Sequence, residues 1–318
     1  MALQCIHMTP QRNSMKPVKS FGIVAFKESP EIQSLLARIA VWIKELHLHV
    51  YYHPSMQGMT PDGAEIERSP EDLLKKSEAL ISIGGDGTFL SVVHMSKFHE
   101  KPVIGVNLGG LGFLTDLSPE NLETSLKRIS QGHYTLIKRM NLEARLIRNN
   151  KEVATYHALN DIFFNRYSNP RLISLAAWHG SDYIGNFQGD GLIVATPSGS
   201  TAYSLAAGGP IVDPDIDAFL LNPICPHSLT ERPMLLPSNK PIRIMVKSSR
   251  EDAMISADGL DSTVLDGNDE IIISKGKSET NIVQLSERSY FDLLRIKLNW
   301  GLNYKNRSDN SSDTRTPS

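Results

Sequence analysis

Apolar positions in the first 140 residues follow two alternating rhythms. Residues 21–26 (FGIVAF) form a short apolar run of strand length, and Ile32, Leu35, Leu36, Ile39 and Ile43 follow at the spacing of one helix face. Residues 48–52, 79–83 and 103–106 repeat the strand signature. Between them Ser-Pro-Glu occurs at 29–31, 69–71 and 118–120. Each triplet offers a hydroxyl as N-cap, a proline where a missing N–H costs nothing, and a carboxylate against the positive end of a helix dipole. Three helix starts are predicted. Strands alternating with helices predict a parallel, Rossmann-like sheet wrapped by helices.

The rhythm changes near Arg139. Residues 142–147 alternate apolar and charged, as a half-exposed strand does, and short β-like stretches follow at 162–164, 172–178, 192–196, 242–246, 254–257 and 270–273. Asp258-Gly259 and Asp266-Gly267 mark turns, and one short helix is expected after Pro197. The prediction is therefore an α/β domain over 1–139 and a β-rich, sandwich-like domain over 140–289. A closing segment at 290–303 carries Tyr290, Phe291, Leu293, Leu294, Ile296, Leu298 and Trp300, which need a surface to cover. The polar stretch 304–318 reads as a disordered tail.

Composition narrows the class. The 318 residues suit two domains of about 150, and 40% hydrophobic with 21% charged is an ordinary globular balance. A net charge of −2, from 33 basic and 35 acidic residues, leaves no basic footprint for nucleic acid. Cys5 and Cys225 are the only cysteines and form no CxxC, so neither a disulfide framework nor a zinc site is expected and a reducing compartment fits. Neither a signal-peptide core nor an apolar run of membrane-spanning length is present, so a cytoplasmic protein without a membrane partner is expected.

Candidate chemistry gathers at two glycine clusters. In residues 81–88 (ISIGGDGT) a buried strand runs into three glycines and Asp86, then into a segment whose Phe89, Leu90, Val92, Val93 and Phe98 form an apolar face. A glycine turn feeding a helix presents backbone N–H groups and a positive dipole end, which suits phosphate. An ordinary strand-to-helix turn with Asp86 as cap explains the same residues, so the turn alone leaves both readings open. The Walker and GxGxxG spacings are absent: Ile271 stands where Gly276-Lys277-Ser278 needs its first glycine, and Gly109-Gly110-Leu111-Gly112 has the wrong interval. This second cluster follows the next strand, and loops after successive parallel strands gather at one sheet edge, where open α/β folds bind ligands. Later, Asn160-Asp161 pairs an amide with a carboxylate at a strand entrance, either as ligand contacts or as a turn. Residues 189–204 run through Gly189-Asp190-Gly191 into a hydroxyl-rich stretch that suits close contact with a polar ligand, with Tyr203 able to pack against a ring.

Taken together these segments resemble the NAD kinase family. The matching pieces are GGDGTFL at 84–90, NLGGLGFLTDL at 107–117, NDIFFNR at 160–166, GDGLIVATPSGSTAYSLAAGGPIVDP at 189–214, CPHSLTERP at 225–233 and YFDLLRIKLNWG at 290–301, in family order. GGDGT is shared with diacylglycerol and sphingosine kinases, whereas TPSGSTAYSLAAGGPIV is far more specific. The resemblance implies an active site between the two domains and a C-terminal segment that returns to the N-terminal domain, covering Phe291 and Trp300. It implies Asp86 as general base, Gly87 as a dinucleotide contact, and further dinucleotide contacts from Asn160, Asp161, Asp190, Thr201, Ala202, Tyr203, Ser204, Leu205 and Ala206. Arg171 falls where some members place a residue beside a bound NAD, contributed across a subunit interface. The implied substrates are NAD and ATP, with a divalent metal, Mg²⁺ or Mn²⁺, arriving with ATP rather than in a protein-only cage, and the implied assembly is a homodimer or homotetramer. Two positions depart from the family pattern: Gln188 stands where His or Arg is frequent, and Leu260 where Gln is common. A lipid kinase sharing GGDGT and a dinucleotide sensor without turnover are the rival readings; the first wants an apolar cleft, the second a lost base.

Overall fold

The computed structural model describes residues 15–96, 99–168, 171–247, 253–286 and 288–301. Cys5, Phe98 and the expected tail at 304–318 lie outside them. Strands β1 (Ser20–Val24), β2 (His49–Tyr52), β3 (Ala79–Ile83) and β4 (Val103–Val106) pair in parallel in the order β2-β1-β3-β4. Helices α1 (Pro30–Glu45), α2 (Pro70–Lys76), α3 (Asp86–Met95) and α4 (Leu122–Ser130) alternate with them. Both faces of the sheet are covered, which is why β3 and β4 are apolar throughout. On one face Leu35, Leu36 and Ile39 of α1 pack with Ile23 and Ile81. On the other, Leu73 of α2 and Phe89 and Val92 of α3 pack with Val24, Leu80 and Val103.

Two of the three predicted helix starts form as expected. Ser29 accepts the Ile32 N–H at 3.2 Å and Ser69 accepts the Asp72 N–H at 3.1 Å. The third is displaced: α4 begins at Leu122, because Asn121 Oδ1 accepts the Ser118 N–H at 2.9 Å and closes a turn ahead of the helix.

The second half is antiparallel. It comprises β5 (Thr135–Arg148), β6 (Lys151–Ala158), β7 (Asp161–Arg166), β8 (Ile173–His179), β9 (Asp182–Gly189), β10 (Gly191–Ala195), α5 (Tyr203–Ala206), β11 (Ala218–Ile224), β12 (Met234–Pro237), β13 (Ile242–Val246), β14 (Ala253–Ala257), β15 (Asp261–Leu265) and β16 (Glu270–Gln284). The helix expected after Pro197 is a 3₁₀ turn at Ser198–Thr201 followed by α5. One sheet, β12-β11-β10-β7-β14-β15, packs against the β5, β8, β13 and β16 portion of the other. Alternate residues fill the space between, such as Ile162 and Phe164, Leu192 and Val194, Ile242 and Ile244. This is the sandwich expected for the β-rich half.

Strand β16 joins the two halves. Its first residues pair antiparallel with β13, Ile282 pairs parallel with Val103 of β4, and β5 runs antiparallel beside it from Thr135 to Ile147. The parallel and antiparallel parts thus share one ten-stranded sheet. The chain then returns toward the first domain, where Asp116 accepts the Ser286 N–H and hydroxyl at 3.1 and 2.6 Å. Helix α6 (Tyr290–Leu298) follows, started by a Ser289–Asp292 capping box. The cover expected for its aromatic residues is incomplete within one chain. Leu294 is buried, but Phe291 on α6 and Trp300 just beyond its end remain 50% and 51% exposed. Among the described residues no helix is long and apolar enough to cross a membrane.

Candidate active site

Strand β3 ends at Ile83, Gly85 occupies the N-cap of α3, and Asp86 is that helix's first residue. Asp86 does not cap the helix, because no side-chain cap bond forms there. Its carboxylate turns instead to the loop after β4. Oδ2 accepts the Phe113 N–H at 2.9 Å, Oδ1 accepts the Leu114 N–H at 3.0 Å, and the Thr115 hydroxyl approaches Oδ1 at 3.4 Å. Gly112 lies so close that a Cβ there would stand 2.1 Å from Asp86 Oδ1 and 2.2 Å from Thr115 Oγ1. The two glycine clusters therefore meet at one carboxylate, as loops following adjacent parallel strands should. Gly87 is exposed on the first turn of α3.

The β-rich half holds its residues differently. Asp161 opens β7 and Asn160 immediately precedes it, and both are buried. The Asp258 carboxylate accepts the N–H groups of Leu159, Asn160 and Asp161 at 2.8, 2.8 and 3.0 Å. Burial, with the Asp258 charge adding to it, pushes the Asp161 carboxyl up to about 8. Asp161 is then a neutral acid near pH 7, able to donate a hydrogen bond as well as accept one.

The hydroxyl-rich run divides its labour. Thr196 donates its hydroxyl to the Leu159 carbonyl at 2.7 Å, and its N–H bonds the Asn160 carbonyl at 2.8 Å. A Cβ on Gly199 would stand 2.0 Å from the Asn160 carbonyl oxygen, so only glycine lets this turn rest on the strand entrance. Ser200 is buried against Val212, and Ser204 against Asn222, whose Nδ2 donates to its hydroxyl at 3.1 Å. Those two hydroxyls serve the fold. Thr201, Ala202, Tyr203, Leu205 and Ala206 keep exposed or half-exposed surface. Tyr203 stacks edge-on against Phe163 at 5.1 Å between ring centroids.

Asp190 sits between β9 and β10 and pairs with Arg166 at 3.2 Å, the last residue of the NDIFFNR segment. Arg171 is exposed at the entry to β8. Gln188 is an exposed residue of β9, and Leu260 lies 45% exposed in the β14–β15 turn.

A cavity opens between the halves. Gly112–Asp116 form one wall and Ser198 and Thr201 another, with Arg139, Arg288 and Tyr290 adding polar groups and α6 closing one side. Asp86 touches its wall through Gly112 and Thr115. Three participants gave no sequence signal of their role. Arg139 reads only as a domain boundary and Asp258 only as a turn, while His94, whose Nε2 lies 2.8 Å from Asp258, is not singled out at all.

Comparisons with known proteins match both halves. The profile of the ATP-NAD kinase N-terminal domain matches residues 21–134, and that of the ATP-NAD kinase C-terminal domain matches residues 159–285. An NAD kinase of Heliobacterium modesticaldum is 38% identical over 284 residues, 88% of this chain and 98% of that protein. One of Caldanaerobacter subterraneus is 41% identical over 231 residues, 73% of this chain and 82% of the relative. Among solved structures, yeast NADH kinase complexed with NADH superposes with a TM-score of 0.83 at 27% identity, covering 91% of this chain and 89% of that one. An NAD kinase from Archaeoglobus fulgidus in complex with ATP gives 0.70, also at 27% identity, covering 88% and 98%.

Proposed function

We propose that Asp86 is the catalytic base in this chain, which belongs to the NAD kinase family and uses NAD and ATP as substrates. The reaction joins the adenosine ribose 2′-oxygen of NAD to the γ-phosphorus of ATP and breaks the bond from that phosphorus to the β–γ bridging oxygen, giving NADP and ADP. The hydroxyl proton passes to Asp86. A carboxylate is a far weaker base than an alkoxide, so the proton moves late, as the new O–P bond forms. Such a base contributes roughly 10²–10⁴-fold, and positioning with charge neutralisation supplies most of the rest.

The observation that carries this reading is the Asp86 carboxylate, held by the Phe113 and Leu114 N–H groups where both glycine loops meet. Each oxygen keeps lone-pair capacity beyond those bonds. The exposed glycines at the head of α3 let phosphate approach backbone N–H groups. Asn160 and Asp161 hold the dinucleotide, aided by Thr201, Ala202, Tyr203, Leu205 and Ala206, by the backbone of Ser204, and by Asp190.

A divalent ion, Mg²⁺ or Mn²⁺, fits as a companion of ATP. Mg²⁺ commonly keeps phosphate and water ligands rather than an all-protein cage. When bound it neutralises the polyphosphate. A homodimer or homotetramer is the assembly we favour, supported by the half-exposed Phe291 and Trp300. There the exposed Arg171 would reach toward dinucleotide bound by a neighbouring subunit. A cytoplasmic setting agrees with the sparse cysteines.

The test is NADP formation from NAD, ATP and Mg²⁺ by wild type and Asp86→Asn. Robust turnover in wild type, with kcat at least about 10²-fold lower in the variant, is expected. Equal rates would remove Asp86 from the role of base. NAD binding without turnover in wild type would instead make the chain a dinucleotide sensor.

A further inference from the structure

The last turn of α3 holds an unassigned contact. His94 lies on the helix that Asp86 begins, eight residues on, or about 12 Å along the axis. Its side chain is only 11% exposed, and Nε2 stands 2.8 Å from Oδ2 of Asp258, whose side chain is fully buried. Nδ1 faces Asp261 Oδ2 at 3.5 Å, across the β14–β15 turn. The contact spans 164 residues and joins the α/β half to the β-rich half.

Asp258 is the hub on the other side. Its two oxygens accept three successive N–H groups, from Leu159, Asn160 and Asp161. Its own N–H returns a bond to the Asp161 carbonyl at 3.0 Å. It adopts a left-handed backbone at φ 49°, which Asp tolerates better than most residues. A buried carboxylate pointed at three amides fixes the strand entrance from which Asn160 and Asp161 project. The fourth donor, His94, ties that entrance to the helix headed by Asp86.

We propose that His94 is a positioning residue: by donating to Asp258 it fixes the Asn160–Asp161 pair relative to Asp86, so the dinucleotide hydroxyl is presented to the base in register. The inference rests on the reading of Asn160 and Asp161 as dinucleotide contacts. Helix α3 acts as a strut with the base at one end and the anchor of the acceptor site at the other. The other three donors to the Asp258 carboxylate are backbone amides of residues 159–161, and none belongs to the first domain. Without His94 the two halves keep their internal order and lose this alignment.

Side-chain length gives the test. Glutamine places its amide nitrogen near the position of His Nε2 and reaches Asp258, whereas asparagine mimics Nδ1 and stops short. His94→Gln should keep the KM for NAD within about threefold of wild type. His94→Asn and His94→Leu should raise it about tenfold, the scale of one charge-assisted hydrogen bond. The KM for ATP should stay within about twofold in all three. An unchanged KM for NAD in His94→Asn, even with a lowered Tm, would make the contact a structural staple and overturn the proposal. So would equal rises for both substrates, or a Gln variant no better than Asn. Should His94→Leu fail to fold, the Gln and Asn pair, both polar and uncharged, decides alone. Absence of turnover in wild type would count against the NAD kinase reading rather than against His94.

Discussion

The two halves of the molecule hold their working residues by opposite means. In the α/β half the functional group is a side chain pinned by backbone: Asp86 rests on the N–H groups of Phe113 and Leu114. In the β-rich half a backbone is pinned by a side chain: the Asp258 carboxylate grips the amides of residues 159–161. Parallel strands end in loops at a common edge, so neighbouring loops can cradle one another with main-chain groups. Antiparallel strand entrances lack that neighbour and borrow a carboxylate from the adjacent hairpin. Bonds to both of its oxygens fix the orientation of the Asp86 carboxylate, whereas the Asp258 grip fixes a stretch of main chain.

Glycine-to-alanine changes separate the two. At Gly112 the nearest atoms an intruding methyl would meet belong to side chains, Asp86 Oδ1 at 2.1 Å, Thr115 Oγ1 at 2.2 Å and Asp86 Cγ at 2.9 Å. Those ends can swing away, so the fold should survive while the carboxylate is displaced. A misplacement of about 1 Å can cost about 10²-fold in rate. Gly112→Ala should therefore lower kcat by that order with Tm nearly unchanged. Steady-state kinetics beside thermal melting checks this, and full activity would mean that Asp86 needs no such seat.

At Gly199 the same methyl would meet backbone: the Asn160 carbonyl oxygen at 2.0 Å, its carbon at 2.5 Å and Cα at 2.8 Å. This main chain, bonded through its N–H to Asp258 and through its carbonyl to Thr196, cannot swing out of the way as a side-chain end can. Overpacking of this kind costs about 1–3 kcal/mol. Gly199→Ala should lower Tm by several degrees and raise the KM for NAD, because Asn160 moves with its backbone. A stable variant with unaltered KM would show that the turn does not brace the strand entrance. The pair of variants thus trades rate loss in one half for stability loss in the other.

The same contrast explains what could be read in advance. Strands β3 and β4 were legible to the residue, since strands buried on both faces are uninterrupted apolar runs. Five antiparallel strands gave no sequence signal. β6 (KEVATYHA) and β9 (DYIGNFQG) are polar and partly exposed, β12 and β15 are short, and β11 carries Asn222 and Pro223 within a fully buried strand. Only the first four of the fifteen residues of β16 read as strand, because SKGKSET follows them. In the site, Asp86 and both glycine loops were visible as local motifs. Asp258 and His94 were not, because their meaning lies in a contact across 164 residues that local periodicity cannot encode.

A further test, read against pH rather than at one pH, concerns Asp161 and the burial that the Asp258 grip imposes. Burial and the neighbouring charge raise its folded-state pKa to about 8, while an unfolded aspartate titrates near about 4. Between those values the folded chain holds a proton that the unfolded chain has released, so stability falls as pH rises. The group's contribution is full below about pH 4 and lost once pH passes about 8. Asp161→Asn keeps the shape of the neutral acid and removes the titration. The Tm difference, variant minus wild type, should therefore grow steadily from pH 5 to pH 8. A flat difference would mean that Asp161 stays ionised in the folded chain, and that ligand meets a charge where we place a neutral donor. The same substitution at Asp86 removes the carboxylate to which we assign the substrate's proton.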